Sequence, residues 1–243
     1  MIIRICDLDI KLNNKYNFVE KTCKDYLVND SNNIAFEVTA EDQEILKEKE
    51  DAELDCENLG YYEATVLFRK LCYKMLDYNG ILIHSSVIAL DNEAYGFSAP
   101  SGTGKSTHTR LWLEYFKKQG RNIYFVNGDK PIYRYFDDKV YACGHPWAGK
   151  EGYNTNCIVP LKAMIFLERG KENKIRRLDS KEVVQRIFKQ ILMPHDDAQV
   201  NKTFELLNSI IRDIPFYLLE CNISLEAVKV CYEEIKGDLD HEN

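Results

Sequence analysis

The sequence predicts an α/β fold built on a mixed β-sheet, with a small β-rich cap at its N-terminus. From residue 59 onward, short apolar runs typical of strands alternate with amphipathic segments typical of helices. An Asp-Asn pair at residues 91–92 joins two of the apolar runs as an antiparallel hairpin. Because the first 58 residues lack this alternation, we expect two units, residues 1–58 and residues 59–243.

The N-terminal unit is expected to be rich in β-structure. The segments MIIRICDLDIKL and NIAFEVTA have the alternation and composition of strands. The run EDQEILKEKEDAELD, residues 41–55, is dense in charge and is interpreted as a solvated face. No chemical motif is recognised in this unit, so no catalytic role is assigned to it.

The next elements are a helix, a hairpin, a second helix and a strand. The first helix begins near Tyr61 and ends at Asn79-Gly80, and the hairpin consists of ILIHSSVIAL and EAYGFSA, each predicted as one strand. The second helix carries an apolar face and ends at Gly120. The segment NIYFVNGD predicts a strand that ends at Asp129.

The C-terminal part begins with a glycine-bearing loop, YACGHPWAGKEGYNTN, and the apolar strand LKAMIFLERG. Two amphipathic helices, the strand PFYLLEC and a final helix follow; Ser224 caps that helix, which ends near Lys236 before a fraying tail. In MPHDDAQ, the residues His195, Asp196 and Asp197 resemble a metal cluster. Their place before a helix favours an N-cap with acids near the positive end of the helix dipole.

Composition limits the classes of function. A hydrophobic fraction of 45% predicts a folded core, and a net charge of -7 leaves no basic stripe for nucleic acid. No apolar run reaches the roughly 18 to 20 residues of a membrane helix, and the start lacks the features of a secretory signal. We therefore expect a cytoplasmic protein with neither a nucleic-acid nor a membrane partner. The eight cysteines form no close C-x-x-C pair, which predicts reduced thiols.

The stretch SAPSGTGKST, residues 98–107, has the composition of a phosphate-binding loop rather than of a plain polar turn. A phosphate cradle needs inward-facing backbone amides, glycines where a Cβ would clash, and a helix whose positive dipole end meets the anion. It also needs a lysine for the terminal phosphates and a hydroxyl for Mg²⁺. Ala99 stands in place of the pattern's first glycine. The residues predicted to bind the nucleoside triphosphate are Ser101, Gly102, Thr103, Gly104, Lys105, Ser106 and Thr107.

A second Mg²⁺ ligand is expected at the end of a neighbouring strand, because a metal-bound triphosphate needs a carboxylate beside the loop hydroxyl. Asp129 stands at such a strand end, so Ser106 and Asp129 are the predicted metal ligands. The alternative is a turn aspartate, because the Asn-Gly and Lys-Pro pairs around it form turns by themselves. The two roles are compatible.

Three segments together carry a resemblance to a known family. With IHSS, SAPSGTGKST and VNGDKP in this order, the chain resembles the kinase domain of HPr kinase/phosphorylase and, more distantly, ATP-dependent phosphoenolpyruvate carboxykinase. A stronger resemblance is to short HPr-kinase-like proteins, many associated with peptide-modification gene clusters. In these, APSGTGKSTHTRLW, GDKP and the stretch from PWAGKEG to VPLKAMIFLERG recur together. The resemblance covers roughly residues 60–235 and implies a mixed-sheet P-loop kinase domain that uses ATP and Mg²⁺.

The resemblance implies that Lys105 and Ser106 hold phosphates and metal, and that Asp129 shares the metal. HPr kinases have two adjacent acids at that strand end, the first of which is the base, whereas this chain has Gly128 there. His84 is the candidate replacement, since a neutral imidazole accepts a hydroxyl proton near pH 7. Asp129 acting on both metal and acceptor is the alternative.

The loop GHPWAGKEG adds a candidate catalytic cation, Lys150, for an oxygen of the γ-phosphate or on the acceptor side. His145 and Trp147 are expected as pocket walls, with a surface loop around a buried tryptophan as the alternative. In KPIYR, Lys130 and Arg134 lie close in sequence to Asp129, but strand alternation sends some of these side chains outward.

The expected function is a Mg²⁺-dependent kinase that transfers the γ-phosphoryl group of ATP to a serine or threonine hydroxyl of a peptide or small protein. The alternatives are a catalytically degenerate ATP-binding regulatory module, a kinase for free serine, and a carboxykinase-like enzyme. The last is disfavoured by the short chain and by the lack of an identifiable set of arginines for a dicarboxylate. By analogy with the relatives, a reverse phosphorolysis and a homo-oligomer are also allowed.

Overall fold

The computed structural model describes residues 1–52 and 56–241. The end of the charge-dense run, residues 53–55, and the last two residues of the expected tail lie outside the described residues. The N-terminal elements are β1 (Ile2–Ile5), β2 (Leu8–Asn13), α1 (Asn17–Cys23), β3 (Leu27–Val28), β4 (Ile34–Thr39) and α2 (Asp42–Asp51). The following elements are α3 (Leu59–Met75), β5 (Gly80–Leu82), β6 (Ser86–Leu90), β7 (Glu93–Ser98), α4 (Lys105–Lys117), β8 (Ile123–Asn127), β9 (Ile132–Phe136), β10 (Lys139–Cys143), β11 (Ile158–Arg169), β12 (Lys174–Arg177), α5 (Ser180–Ile187), α6 (Asp197–Asp213), β13 (Phe216–Cys221) and α7 (Leu225–His241).

The large sheet is mixed, as predicted. Its main run has the order β8-β6-β7-β11-β13-β12, in which β7, β11 and β13 are parallel. Since β6 is antiparallel to both β7 and β8, strand β8 also points the same way as β7. The first residues of β11 extend the sheet in another direction through β10, β9 and β5. The carboxyl ends of β7, β8, β11 and β13 therefore share one edge.

Helices cover both faces of this sheet, because the strands are apolar on each side. Along β11, Ile165 packs with α4 and α7, in a cluster that includes Trp112 and Val228. Its neighbour Phe166 points to the opposite face, where it packs with α5 and α6 around Ile187. This alternation is the period of two expected for a strand buried on both faces.

The N-terminal cap is a four-stranded sheet in the order β3-β1-β2-β4. The expected boundary at residue 58 lies at the start of α3, whose buried face shares a core with this sheet. Glu63 on α3 is fully buried, and its carboxylate accepts hydrogen bonds of 2.6 and 3.0 Å from the backbone amides of Lys15 and Tyr16. α3 thus links the cap to the large sheet.

Several local predictions need correction. The segment ILIHSSVIAL is not one strand: it breaks at residues 83–85, and β5 and β6 take separate places in the sheet. The charged run contains the helix α2, whose buried residue is Ile45 and whose capping box joins Glu41 and Glu44. α7 continues to His241 instead of ending near Lys236. The prediction that the tail frays from residue 237 onward is therefore wrong for residues 237–241. Helix α1 and strands β3, β10 and β12 were not predicted from the sequence. The eight cysteines are free thiols, as predicted.

No helix within the described ranges is both long and apolar enough to cross a bilayer.

Two glycine substitutions test the packing of the sheet. A Cβ at Gly96 would lie against the sulfur of Met164 and 2.7 Å from the hydroxyl of Tyr133, whereas a Cβ at Gly237 in α7 meets nothing within 4 Å. Overpacking should make Gly96→Ala less stable by about 1–3 kcal/mol. Gly237→Ala should be more stable by about 0.5–1 kcal/mol, because alanine is the better helix former. Urea denaturation measures both, and equal stabilities would contradict the described core.

Candidate functional site

The predicted phosphate loop connects β7 to α4 at the shared carboxyl edge. Gly102 and Gly104 have φ angles of 77° and 118°, which only glycine adopts without strain. Side chains cap the N-termini of α2, α3, α5 and α6, but none caps α4, whose N-cap residue is Gly104. The first amides of α4 are therefore available to an anion, and the helix dipole favours one there.

Arg169, at the end of β11, orients the loop from outside. Its guanidinium donates to the carbonyl oxygen of Gly102 at 2.6 Å and to that of Thr103 at 3.4 Å. In a trans peptide the carbonyl and the next amide point in opposite directions, so the amide of Gly104 faces away from Arg169. Nothing in the sequence indicates this role, because β11 and the loop are distant along the chain.

Lys105 opens α4 and reaches back over the loop. Its ammonium donates to the carbonyl oxygen of Ala99 at 3.3 Å and lies 3.2 Å from Nε2 of His84. Burial lowers the pKa of Lys105, and the negative charge of Asp129 opposes this shift. A partly desolvated cation of this kind gains from an incoming phosphate.

His84 lies in the break between β5 and β6, not within a strand. The break is held from three sides: Ile83 bridges to Ile191, the amide of His84 donates to the carbonyl of Gln190 at 2.6 Å, and the amide of Ser85 donates to the carbonyl of Asp129 at 3.0 Å. The structure thus brings the predicted residues His84, Lys105 and Asp129 together.

The imidazole of His84 has a defined orientation. Nδ1 lies 3.2 Å from the amide oxygen of Gln190, and Nε2 lies 3.2 Å from both Oδ1 of Asp129 and Nζ of Lys105. A proton on Nδ1 satisfies Gln190, which leaves the basic lone pair on Nε2. Nε2 can then accept from Lys105 or, once protonated, donate to Asp129, but it cannot do both at once.

Gln190 was not predicted from the sequence, because nothing near it in the chain carries a motif. It is nearly buried, at 8% exposure, and it contacts His84 through both its backbone carbonyl and its side chain. Gln190 therefore positions the imidazole.

Asp129 occupies a turn that Asn127 organises. The side-chain oxygen of the fully buried Asn127 accepts from the amides of Asp129 and Lys130, at 3.0 and 2.9 Å. A hydrogen bond from Nε2 of His84, in the state in which that nitrogen carries a proton, and the charges of Lys130 and Lys105 hold the pKa of Asp129 below its usual value, against the opposing effect of burial. Asp129 is therefore an ionised carboxylate at neutral pH. The turn interpretation is confirmed, and the role of Asp129 as a metal ligand stays a prediction.

The loop that follows β10 packs directly on this turn. His145 is buried, and its Nε2 donates to the carbonyl of Lys130 at 2.6 Å, since the amide of Trp147 donates to Nδ1. Burial lowers the pKa of His145 to about 4, so the ring is neutral. His145 therefore supports the turn from behind, whereas it was expected to be a pocket wall.

Glycines allow the close approach of this loop. A Cβ at Gly149, where φ is 70°, would lie within 2.8 to 2.9 Å of the side chain of Asp129. A Cβ at Gly128 would lie 3.3 Å from Cβ of Tyr153 and 3.4 Å from its carbonyl oxygen. Position 128 is thus crowded by Tyr153, whose ring stacks on Phe125 with the centroids 4.6 Å apart.

The other sequence candidates lie as follows. Lys150 is exposed and follows Gly149, Lys130 lies 3.6 Å from Asp129, and Trp147 stacks on Phe68. Arg134 faces away from the site, because its guanidinium donates to the carbonyl oxygens of Tyr78 and Cys6.

The N-cap interpretation of MPHDDAQ is confirmed. Asp196 accepts from the amide of Gln199 at 3.1 Å at the start of α6. Within residues 1–52 and 56–241, no three His, Cys, Asp or Glu side chains group as a metal site.

A single Mg²⁺ nevertheless fits the groups present. Magnesium prefers one or two protein oxygens and completes its shell with water and phosphate oxygens. Asp129 supplies an ionised, partly exposed carboxylate, and Ser106 supplies a hydroxyl in the first turn of α4.

Comparisons with known proteins add little to this geometry. No protein-family model matches the chain, and no curated protein matches it. Among solved structures, the Hpr(Ser) kinase/phosphatase from Coxiella burnetii is similar over 67% of this chain and 99% of its own, at 12% sequence identity and a TM-score of 0.37. A TM-score this low supports no argument about fold or function, and the sections below rest on the chain's own residues.

The contact between Gly149 and Asp129 can be tested with a matched pair of substitutions. Gly149 and Gly152 both have positive φ, at 70° and 66°, but a Cβ at Gly152 meets nothing within 4 Å. Gly149→Ala should displace Asp129 and weaken binding of Mg²⁺ with ATP about tenfold or more, as loss of a supporting contact does at metal sites. Gly152→Ala carries the same backbone strain and should bind nearly as the unaltered chain does. Titration calorimetry compares them, and equal losses would contradict the placement.

The role of Gln190 can be tested without an activity assay. Nitrogen-15 NMR should show His84 protonated on Nδ1 in the unaltered chain, because the Gln190 amide oxygen accepts that proton. Gln190→Leu should shift the neutral ring toward the Nε2-protonated form, whereas Gln185→Leu on the exposed side of the neighbouring α5 should not. An unchanged tautomer in Gln190→Leu would refute the positioning role.

Proposed function

We propose that this chain is a Mg²⁺-dependent phosphotransferase that moves the γ-phosphoryl group of ATP to a serine or threonine hydroxyl of a peptide or small protein. The observation that carries the proposal is the meeting of Lys105, His84 and Asp129 within 3.2 Å contacts beside an uncapped helix N-terminus. A cation, a base and a metal-binding carboxylate are the groups that phosphoryl transfer requires.

The loop and α4 bind the triphosphate. The amides from Gly104 to Thr107 meet phosphate oxygens, and Lys105 moves from Nε2 of His84 to the terminal phosphates. Bound through Asp129 and Ser106, Mg²⁺ would neutralise charge on the phosphate oxygens. Binding thus removes Lys105 from the nitrogen that the reaction needs.

His84 then serves as the base. Nε2 takes the proton of the acceptor hydroxyl as the hydroxyl oxygen bonds to the γ-phosphorus, and the bond from that phosphorus to the bridging oxygen of ADP breaks. Asp129 accepts a hydrogen bond from the protonated ring and stabilises its charge. Gln190 keeps Nδ1 protonated throughout, so the basic nitrogen always faces the phosphate side.

Two features support an acceptor that approaches from the protein surface. Lys150 is exposed beside Gly149, where its ammonium is free to meet an oxygen on the acceptor side. A cavity of about 380 Å³ opens between the loop and α5, next to Gln190, and Lys189 lies at its rim. The sequence resemblance to proteins of peptide-modification clusters favours a peptide; free serine is the smaller acceptor of the same chemistry.

One observation favours a second function, a nucleotide-binding module without catalysis. Gly128 stands where the resemblance to HPr kinases implies a second acid, and a Cβ there would lie only 3.3 Å from Cβ of Tyr153. In that function the loop would bind ATP and change a partner interaction without turnover. The kinase is preferred because His84 stands where a base is needed.

Three substitutions test the kinase against the module. Lys105→Ala, Asp129→Asn and His84→Gln should each reduce phosphoryl transfer at least about 100-fold, the size usual for loss of an acid-base or metal group. His195→Gln is the matched control, because His195 is exposed at the start of α6, and it should keep normal activity.

The assay incubates the full chain with labelled ATP, Mg²⁺, candidate peptides and free serine, and it follows phosphorylated product by mass spectrometry. Tight ATP binding without product from any acceptor would favour the module. Normal rates in His84→Gln and Asp129→Asn would refute the site assignment.

A further inference from the structure

The order of the strands determines the direction in which a bound nucleotide would extend from the phosphate loop. Asp129 follows β8, which lies on one side of β7, and β11 and β13 lie on the other side. The metal-binding end of the triphosphate therefore lies toward β8. Since ligands of α/β sheets bind across the carboxyl ends of strands, the remainder of the nucleotide extends toward the ends of β11 and β13.

A cavity of about 230 Å³ lies in that direction. It begins at the phosphate loop, with Thr103 and Gly104, and continues along α4 past Thr107. Its far wall is the end of β11 and the connection from β13 to α7. The cavity is thus continuous with the loop on the side opposite Asp129.

The walls of this cavity are mainly apolar. Leu111 contributes from α4, Leu167 from β11, and Ile223 from the connection before α7. Ile223 is 79% exposed, more than any other large apolar side chain in the described ranges. An aliphatic side chain this exposed at the mouth of an apolar slot gains from a flat ligand that covers it.

The charges in the cavity do not suit another phosphate. His108 is in the lining, and burial lowers its pKa to about 4, so it is neutral. Arg169 is the cation of the lining, and its guanidinium is directed to the carbonyls of Gly102 and Thr103. Glu168 and Asn222 also line the cavity, but Glu168 pairs with Arg186, and the side chain of Asn222 bonds to Ser224 and to the carbonyl oxygen of Lys171.

The cavity on the α5 side of the loop shares Thr103, Leu167 and Arg169 with the apolar cavity but differs from it in charge. Arg186 and Lys189 line it, and it adjoins Gln190 at the catalytic end of the loop. A neutral aromatic base fits the apolar cavity better than this cationic one.

We propose that the apolar cavity is the subsite for the base and ribose of a nucleoside triphosphate, with the base between Leu111 and Ile223. This inference rests on the proposed function, because it assumes that the loop holds the triphosphate. It adds that the base contributes to affinity through apolar contact.

The test compares two probes on the full chain, ATP with Mg²⁺ and inorganic tripolyphosphate with Mg²⁺. Calorimetry should show tighter binding of ATP. Ile223→Ser should weaken ATP about tenfold, the size expected when most of one aliphatic contact is lost. It should leave tripolyphosphate unchanged. The control Leu46→Ser, at an exposed leucine on α2, should alter the affinity for neither probe.

The outcomes separate the two proposals. Unchanged ATP affinity in Ile223→Ser, with tripolyphosphate still bound, would overturn the base subsite and leave the proposed function standing. Failure of both probes to bind, or binding that survives Lys105→Ala, would overturn the proposed function itself.

A second measurement does not depend on a substitution. Photolabelling with 8-azido-ATP should mark peptides containing residues 107–111 or 221–223, which line the apolar cavity. Labelling of residues 185–190 instead would assign the base to the cationic cavity and overturn the inference.

Discussion

The site depends on one constraint: the backbone amides of the break between β5 and β6 must find hydrogen-bond partners outside the sheet. A buried amide without a partner is costly, so each amide of the break recruits a different element. The amide of His84 uses the carbonyl of Gln190, and the amide of Ser85 uses that of Asp129. These two backbone hydrogen bonds fix the positions of His84, Gln190 and Asp129 relative to one another.

Two side chains of opposite charge contact the same nitrogen of the His84 ring. Nε2 of His84 lies equally close to a cation, Lys105, and to an anion, Asp129. Because one nitrogen serves only one of them at a time, the ring's protonation is linked to the position of the lysine. A polyanion that attracts Lys105 would leave the lone pair of His84 free. In the proposed kinase, binding of the triphosphate would in this way free the base through a side-chain movement alone.

Close packing around Asp129 explains why the site has a single carboxylate. Two loop residues, Gly149 and Tyr153, approach the turn after β8 so closely that a side chain at position 128 would meet Tyr153. The buried His145 and Asn127 keep this loop and the turn in register. The same packing that orients Asp129 therefore leaves little room for a side chain at position 128.

The sequence by itself determined the local features. The glycine spacing, the lysine and the hydroxyl predicted the phosphate loop, the Asp91-Asn92 pair predicted the hairpin, and the alternation of strands and helices predicted a mixed α/β fold, since these depend on neighbours in the chain. Only the tertiary structure decided that ILIHSSVIAL breaks at His84, and that Gln190 and Arg169 belong to the site. These outcomes depend on hydrogen bonds between residues far apart in the chain. The hydrophobic pattern of a single sequence predicts local elements but does not indicate which distant groups will pair.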